Sequence, residues 1–99
     1  MVKHVILWQL KDELSDADKA KAAQDIKKGL EDLKGVIPGL VDIKVGTGPL
    51  ATSSADIFLD STFEDADALA VYATHPAHVR VKDEFSANVK SRICMDFEI

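Results

Sequence analysis

Val5-Ile6-Leu7-Trp8, an unbroken apolar run near the start of the chain, constrains the fold more than any other feature. Side chains alternate between the two faces of a strand, so a continuous apolar run puts hydrophobic groups on both faces. The run lies in a strand read over His4–Leu10 and stops at charged Lys11-Asp12-Glu13. It is too short for a membrane span and too β-like for a signal peptide. Such a strand belongs inside a sheet that is covered on both sides.

The rest of the chain supplies one cover and leaves the other open. Ser15 can cap a helix, with Asp18 completing a weaker capping box, and Ala22, Ala23, Ile26, Leu30 and Leu33 follow at helical spacing. Gly35 and Ile37-Pro38-Gly39 end it. A second strand runs over Leu40–Gly46, with Val41, Ile43 and Val45 alternating against Asp42 and Lys44. After a Gly/Pro/Ser/Thr-rich loop comes a third strand, Asp56–Phe63, with Ile57, Leu59 and Phe63 on one face and Phe58 and Thr62 on the other. A second helix starts at Glu64-Asp65, is reset at Pro76 and continues to about Lys90. Arg92–Ile99 is the last strand, with Ile93, Met95, Phe97 and Ile99 on one face.

The order β-α-β-β-α-β predicts an α+β ferredoxin-like antiparallel sheet with both helices on one face, in a single domain over residues 1–99. Phe58 and the two-sided first strand call for a cover on the other face. A second copy of the sheet is the simplest one, giving a homodimer with a barrel-like centre, a dimeric α/β barrel. The 17 acidic against 12 basic residues, with no basic cluster, argue against nucleic acid and anionic membranes as partners. Lone Cys94 fits a reducing, cytoplasmic setting and reads as a small sheet residue.

Chemistry concentrates in Tyr72-Ala-Thr-His75-Pro-Ala-His78. Imidazole exchanges protons near neutral pH without a large pKa shift. His78 precedes Val81 by three and Phe85 by seven, which puts it on the inward stripe of its helix, either as a general base or as a histidine bonded to a carbonyl. Tyr72 also faces inward, and its hydroxyl needs a partner, either His78 or a main-chain carbonyl. His75 falls at the kink, where capping is expected. His4, Ile6 and Trp8 share a strand face; they are candidates for lining a pocket, with an edge-exposed strand start the alternative for His4 and the core the alternative for Trp8. Three imidazoles, His4, His75 and His78, would suit zinc if they converged. Pro76 interrupts that geometry, and no metal is expected. Asp56 and Asp60 share a face of the third strand, where ion pairing with Lys44 or Arg92, or exposure toward the dimer seam, is expected. Lys27-Lys28 and Glu31-Asp32 read as a solvated helix face.

Taken in order, Val2-Lys3-His4-Val5-Ile6-Leu7-Trp8, Ile37-Pro38-Gly39-Leu40, Phe63-Glu64-Asp65, Tyr72-x-x-His75-Pro-x-His78-Val79 and Asp96-Phe97 resemble the stress-responsive A/B-barrel (Dabb, dimeric α+β barrel) family. The resemblance spans nearly the whole chain and implies a homodimer whose sheets pack face to face. Many bacterial members have no assigned reaction. One plant branch cyclises a linear polyketide by intramolecular aldol condensation, without metal or cofactor. There the residue matching His78 is the base, the one matching Tyr72 orients substrate, and the one matching His4 lies in the same pocket. The walls differ here: Trp8 is bulky, and Ala22, Ala23 and Ile26 are not aromatic, which points away from the plant substrate.

The expectation is a cofactor-free homodimer that binds a small apolar or carbonyl-bearing ligand between helix and sheet. His4, Ile6, Trp8 and His75 are the expected ligand contacts. The alternative is a cyclase- or lyase-type enzyme with His78 as base and Tyr72 as oxyanion donor. A pocket of several hundred Å3 beside both residues would favour the enzyme. A core filled by Trp8 and Phe85 would favour a binding or structural dimer.

Overall fold

A computed structural model describes residues 1–99. Its elements are β1 (Val2–Leu10), α1 (Asp16–Glu31), β2 (Leu40–Gly46), β3 (Ile57–Phe63), α2 (Ala66–Thr74), α3 (Pro76–Ser86) and β4 (Val89–Glu98). The strands form one antiparallel sheet in the order β2-β3-β1-β4, the ferredoxin-like arrangement. The two-sided strand β1 is central, with Trp8 opposite Ile57 on one side and Arg92 on the other.

Helix starts follow local chemistry. The Ser15 hydroxyl accepts the Asp18 N–H at 3.1 Å, and the Asp65 carboxylate accepts the Ala68 N–H at 2.8 Å. Before β2 the chain turns at Gly39, whose φ is +82°. A Cβ there would lie 2.5 Å from Ala68 Cβ, so glycine is required for both backbone and space.

The helices cover one sheet face. His4, Ile6, Trp8 and Leu10 of β1 lie there with Ile57, Leu59, Ser61 and Phe63 of β3, all buried. Ala22, Ile26 and Leu30 of α1, Tyr72 of α2 and Phe85 of α3 close the core over them. The opposite face carries no helix. Leu7 stands there between Phe58 and Ile93 in register, beside Met95 and Phe97, and all five are exposed.

Several boundaries differ from the sequence expectation. β1 begins at Val2 rather than His4. Asp56 precedes β3, and its carboxylate accepts the Leu10 N–H at 2.7 Å. α3 ends at Ser86 rather than near Lys90, because Asn88 N–H turns back to the Phe85 carbonyl (3.0 Å) and Lys11 N–H reaches the Asn88 carbonyl (2.9 Å), drawing Val89 and Lys90 into β4. Val41 does not share the core face of Ile43. The register skips from Leu40↔Phe63 to Asp42↔Thr62, so Val41 is the bulged residue, 38% exposed, and Leu40 takes the buried place. Lys27 and Glu31 are not merely solvated. Lys27 Nζ donates to the Val45 carbonyl (2.9 Å), and Glu31 accepts the Val45 N–H (2.9 Å), which pairs Val45's main-chain groups on the open edge of β2.

Candidate functional site

Pro76 builds the site by breaking a helix. Proline disfavours the α conformation in the residue before it. His75 accordingly sits extended, at φ −64° and ψ 132°, ending α2 and starting α3. Its Nδ1 accepts the Ala77 N–H at 3.1 Å. The break lets Tyr72, on the last turn of α2, meet His78, on the first turn of α3. Their ring centroids are 4.1 Å apart at 30°.

Both rings line a cleft of about 600 Å3 between the helices and the sheet. Ile6, Trp8, Leu59 and Phe85 contribute apolar wall, and exposed Lys82 and Arg92 also reach the cleft. Trp8 packs edge-on against Phe85 at 5.5 Å, so it is both core and cleft wall.

The two polar groups differ in state. Tyr72 is 1% exposed, and its hydroxyl finds no hydrogen-bond partner in the protein, neither His78 nor a carbonyl. Burial drives its pKa well up and keeps the phenol a donor. His78 is half-buried, and its Nδ1–H donates to the Ala73 carbonyl at 3.3 Å. In the neutral ring that leaves Nε2 as the free basic nitrogen. Burial lowers the His78 pKa, the Ala73 bond works against this, and the charges of Lys82, His4 and Arg92 add to the lowering. The arrangement holds a neutral base and a protonated donor side by side, as proton abstraction next to a carbonyl requires.

His4 and His75 do not reach the cleft wall. His75 is a helix cap. His4 is buried, edge-on to Tyr72 at 6.0 Å and to Phe63 at 6.3 Å, and its Nδ1–H donates to the Asp96 carboxylate. The three histidines therefore do not converge on one ion. Asp60 pairs with Lys3 at 3.0 Å, not with Lys44 or Arg92. From sequence, Arg92 is only an ion-pair candidate, Cys94 a small sheet residue and Asp96 part of the family resemblance; none is placed in a site. The alternation of β4 places them opposite to the Ile93 face, and pairing β4 with β1 puts them beside Trp8, Ile6 and His4.

The family model described as Stress Responsive A/B Barrel Domain matches residues 2–99. Olivetolic acid cyclase of Cannabis sativa is 26% identical over 99 residues, covering 97% of this chain and 94% of the cyclase. A dimeric protein of unknown function and ferredoxin-like fold from Bacteroides fragilis superposes with a TM-score of 0.94 at 32% identity, over 99% of this chain and 95% of that one. A hydroxynitrile lyase from Passiflora edulis shares the fold at 20% identity, with a TM-score of 0.78 over 99% of this chain and 92% of the lyase.

Proposed function

Because the chain belongs to the stress-responsive A/B barrel family, we propose that it is a homodimer in which each protomer binds a small, largely apolar, carbonyl-bearing ligand in the cleft beside Tyr72 and His78. The observation that carries this reading is a cleft of about 600 Å3 lined by Tyr72 and His78, together with a Tyr72 hydroxyl that is buried and has no partner in the protein. A buried donor left unpaired costs roughly 1–3 kcal/mol. A small shift of the Tyr72 ring that turns its hydroxyl toward the cleft lets a ligand carbonyl remove the cost, while the surrounding Ile6, Trp8, Leu59 and Phe85 receive the apolar body. The dimer rests on the open apolar sheet face and on the dimeric relative from Bacteroides fragilis.

The second reading, catalysis without a cofactor, is favoured by the state of His78. Its Nδ1–H is engaged by Ala73, so Nε2 accepts a proton from the carbon next to the ligand carbonyl. The electron pair moves onto the carbonyl oxygen, where the Tyr72 hydroxyl donates to the developing oxyanion. Lys82 and Arg92 bring positive charge to the same cleft, offset in part by Asp83. The cyclase among the relatives is consistent with this chemistry.

The test is a calorimetric and turnover panel of medium-chain 3-oxo acids, their esters and aryl ketones. Wild type should bind at least one class, Tyr72→Phe should weaken it, and His78→Ala should abolish any turnover with the fold intact. Absence of binding across the panel contradicts the ligand reading. Turnover that survives His78→Ala removes His78 as the base.

A further inference from the structure

We propose that His4, Cys94 and Asp96 form a zinc site at the β1–β4 edge, separate from the cleft. The strand register makes the cluster. His4 stands directly opposite Asp96, and Cys94 lies two residues earlier on the same face of β4. Cys94 Sγ is 3.6 Å from His4 Nδ1 and 3.5 Å from Asp96 Oδ1, while His4 and Asp96 are in hydrogen-bond contact. All three ligand atoms lie within 4.8 Å of one another.

A tetrahedral zinc, with bonds of about 2.3 Å to sulfur and 2.0–2.2 Å to nitrogen or oxygen, requires edges of roughly 3.5 Å between sulfur and the other ligands. The two edges from Cys94 already have that length. The third opens when zinc takes the place of the proton between His4 and Asp96, a small side-chain rotation for exposed Asp96. A thiolate, an imidazole and a carboxylate select a borderline-soft cation over magnesium or calcium. Cys94 and Asp96 together neutralise the two charges of zinc once the thiol proton leaves. His4 is held in place by Phe63 and Tyr72, and exposed Cys94 and Asp96 leave a path for entry. Three protein ligands leave the fourth position to water. None of the three lines the cleft, so the site stands apart from the ligand reading.

The experiment uses the full chain without a histidine tag, stripped with chelator and titrated with zinc in mildly alkaline buffer. One zinc per chain is expected. Cys94→Ser and Asp96→Asn should each weaken it at least as much as the ~10–100-fold that losing an outer-shell partner costs. Both residues are exposed, and circular dichroism checks that each variant is folded. Cobalt in place of zinc should give a thiolate-to-cobalt charge-transfer band that Cys94→Ser removes, and excess magnesium should not compete. Substoichiometric zinc, zinc binding unchanged in both variants, or a cobalt spectrum without the thiolate band overturns the site.

Discussion

The rings of Tyr72 and His78 stack at 4.1 Å across the break at Pro76, yet the Tyr72 hydroxyl makes no hydrogen bond to His78 or to anything else in the protein. His78 spends its Nδ1 on Ala73. One residue is structurally satisfied with a basic nitrogen left over, and the other is buried with its donor free.

Removing that donor should therefore not harm the fold. Tyr72→Phe keeps the ring and deletes a hydroxyl that has no partner, so stability should be unchanged or rise by up to about 1 kcal/mol. Ligand affinity should fall, and on the catalytic reading turnover should fall by roughly 10²–10³-fold, the usual loss for one oxyanion donor. Thermal melts and kinetics read the two effects apart. A clear drop in melting temperature would mean the hydroxyl is bonded in the free protein.

The lowered pKa of His78 has a definite sign in stability. The unfolded chain takes up a proton near the usual 6.5, before the folded chain does. Stability is full above that value and falls as pH drops from it toward the folded-state pKa. His78→Gln removes this titration while the other histidines stay. The wild-type advantage over the variant should be flat above 6.5 and shrink below it in denaturant melts. An advantage that grows on acidification would mean the imidazolium is favoured.

The open sheet face gives the third test. Leu7 is 44% exposed between Phe58 (40%) and Ile93 (70%), too much contiguous apolar surface to leave in water. Light scattering should give a mass near twice 10.8 kDa. Leu7→Asp should weaken association by several kcal/mol, because the charge would be buried without a partner. A folded wild-type monomer at every concentration would contradict the dimer.

Most of this fold could be read from periodicity. The apolar run at Val5–Trp8 placed β1 centrally, and Pro76 marked the helix break that joins Tyr72 to His78. What escaped depends on pairing between distant residues. Val41 looks inward by alternation, but a bulge against β3 turns it out. Asp60 pairs with Lys3, its diagonal neighbour across β1, although Lys44 stands directly opposite in register; alternation gives the shared face but not the partner. Cys94 reads in sequence as a small sheet residue, and only the β1–β4 register sets it beside His4. The unpaired Tyr72 hydroxyl is likewise a property of packing.

Glycine positions give a packing control. Gly39→Ala adds strain at positive φ, about 1–2 kcal/mol, and places Cβ 2.5 Å from Ala68 Cβ, so it should cost more than the strain alone. Gly35→Ala, at φ +85° with open space around it, should cost only the strain. Equal losses in chemical denaturation would show that α2 does not pack on the Gly39 turn as described.

Binding of a carbonyl-bearing ligand in the cleft beside Tyr72 and His78 can be read residue by residue with nuclear magnetic resonance. Isotope-labelled protein is titrated with the same panel of 3-oxo acids, esters and aryl ketones. Saturable shifts are expected, centred on Ile6, Trp8, Leu59, Tyr72, His78 and Phe85, with the Tyr72→Phe protein needing more ligand to reach them. Shifts confined to other surfaces, or none at saturating ligand, would contradict it.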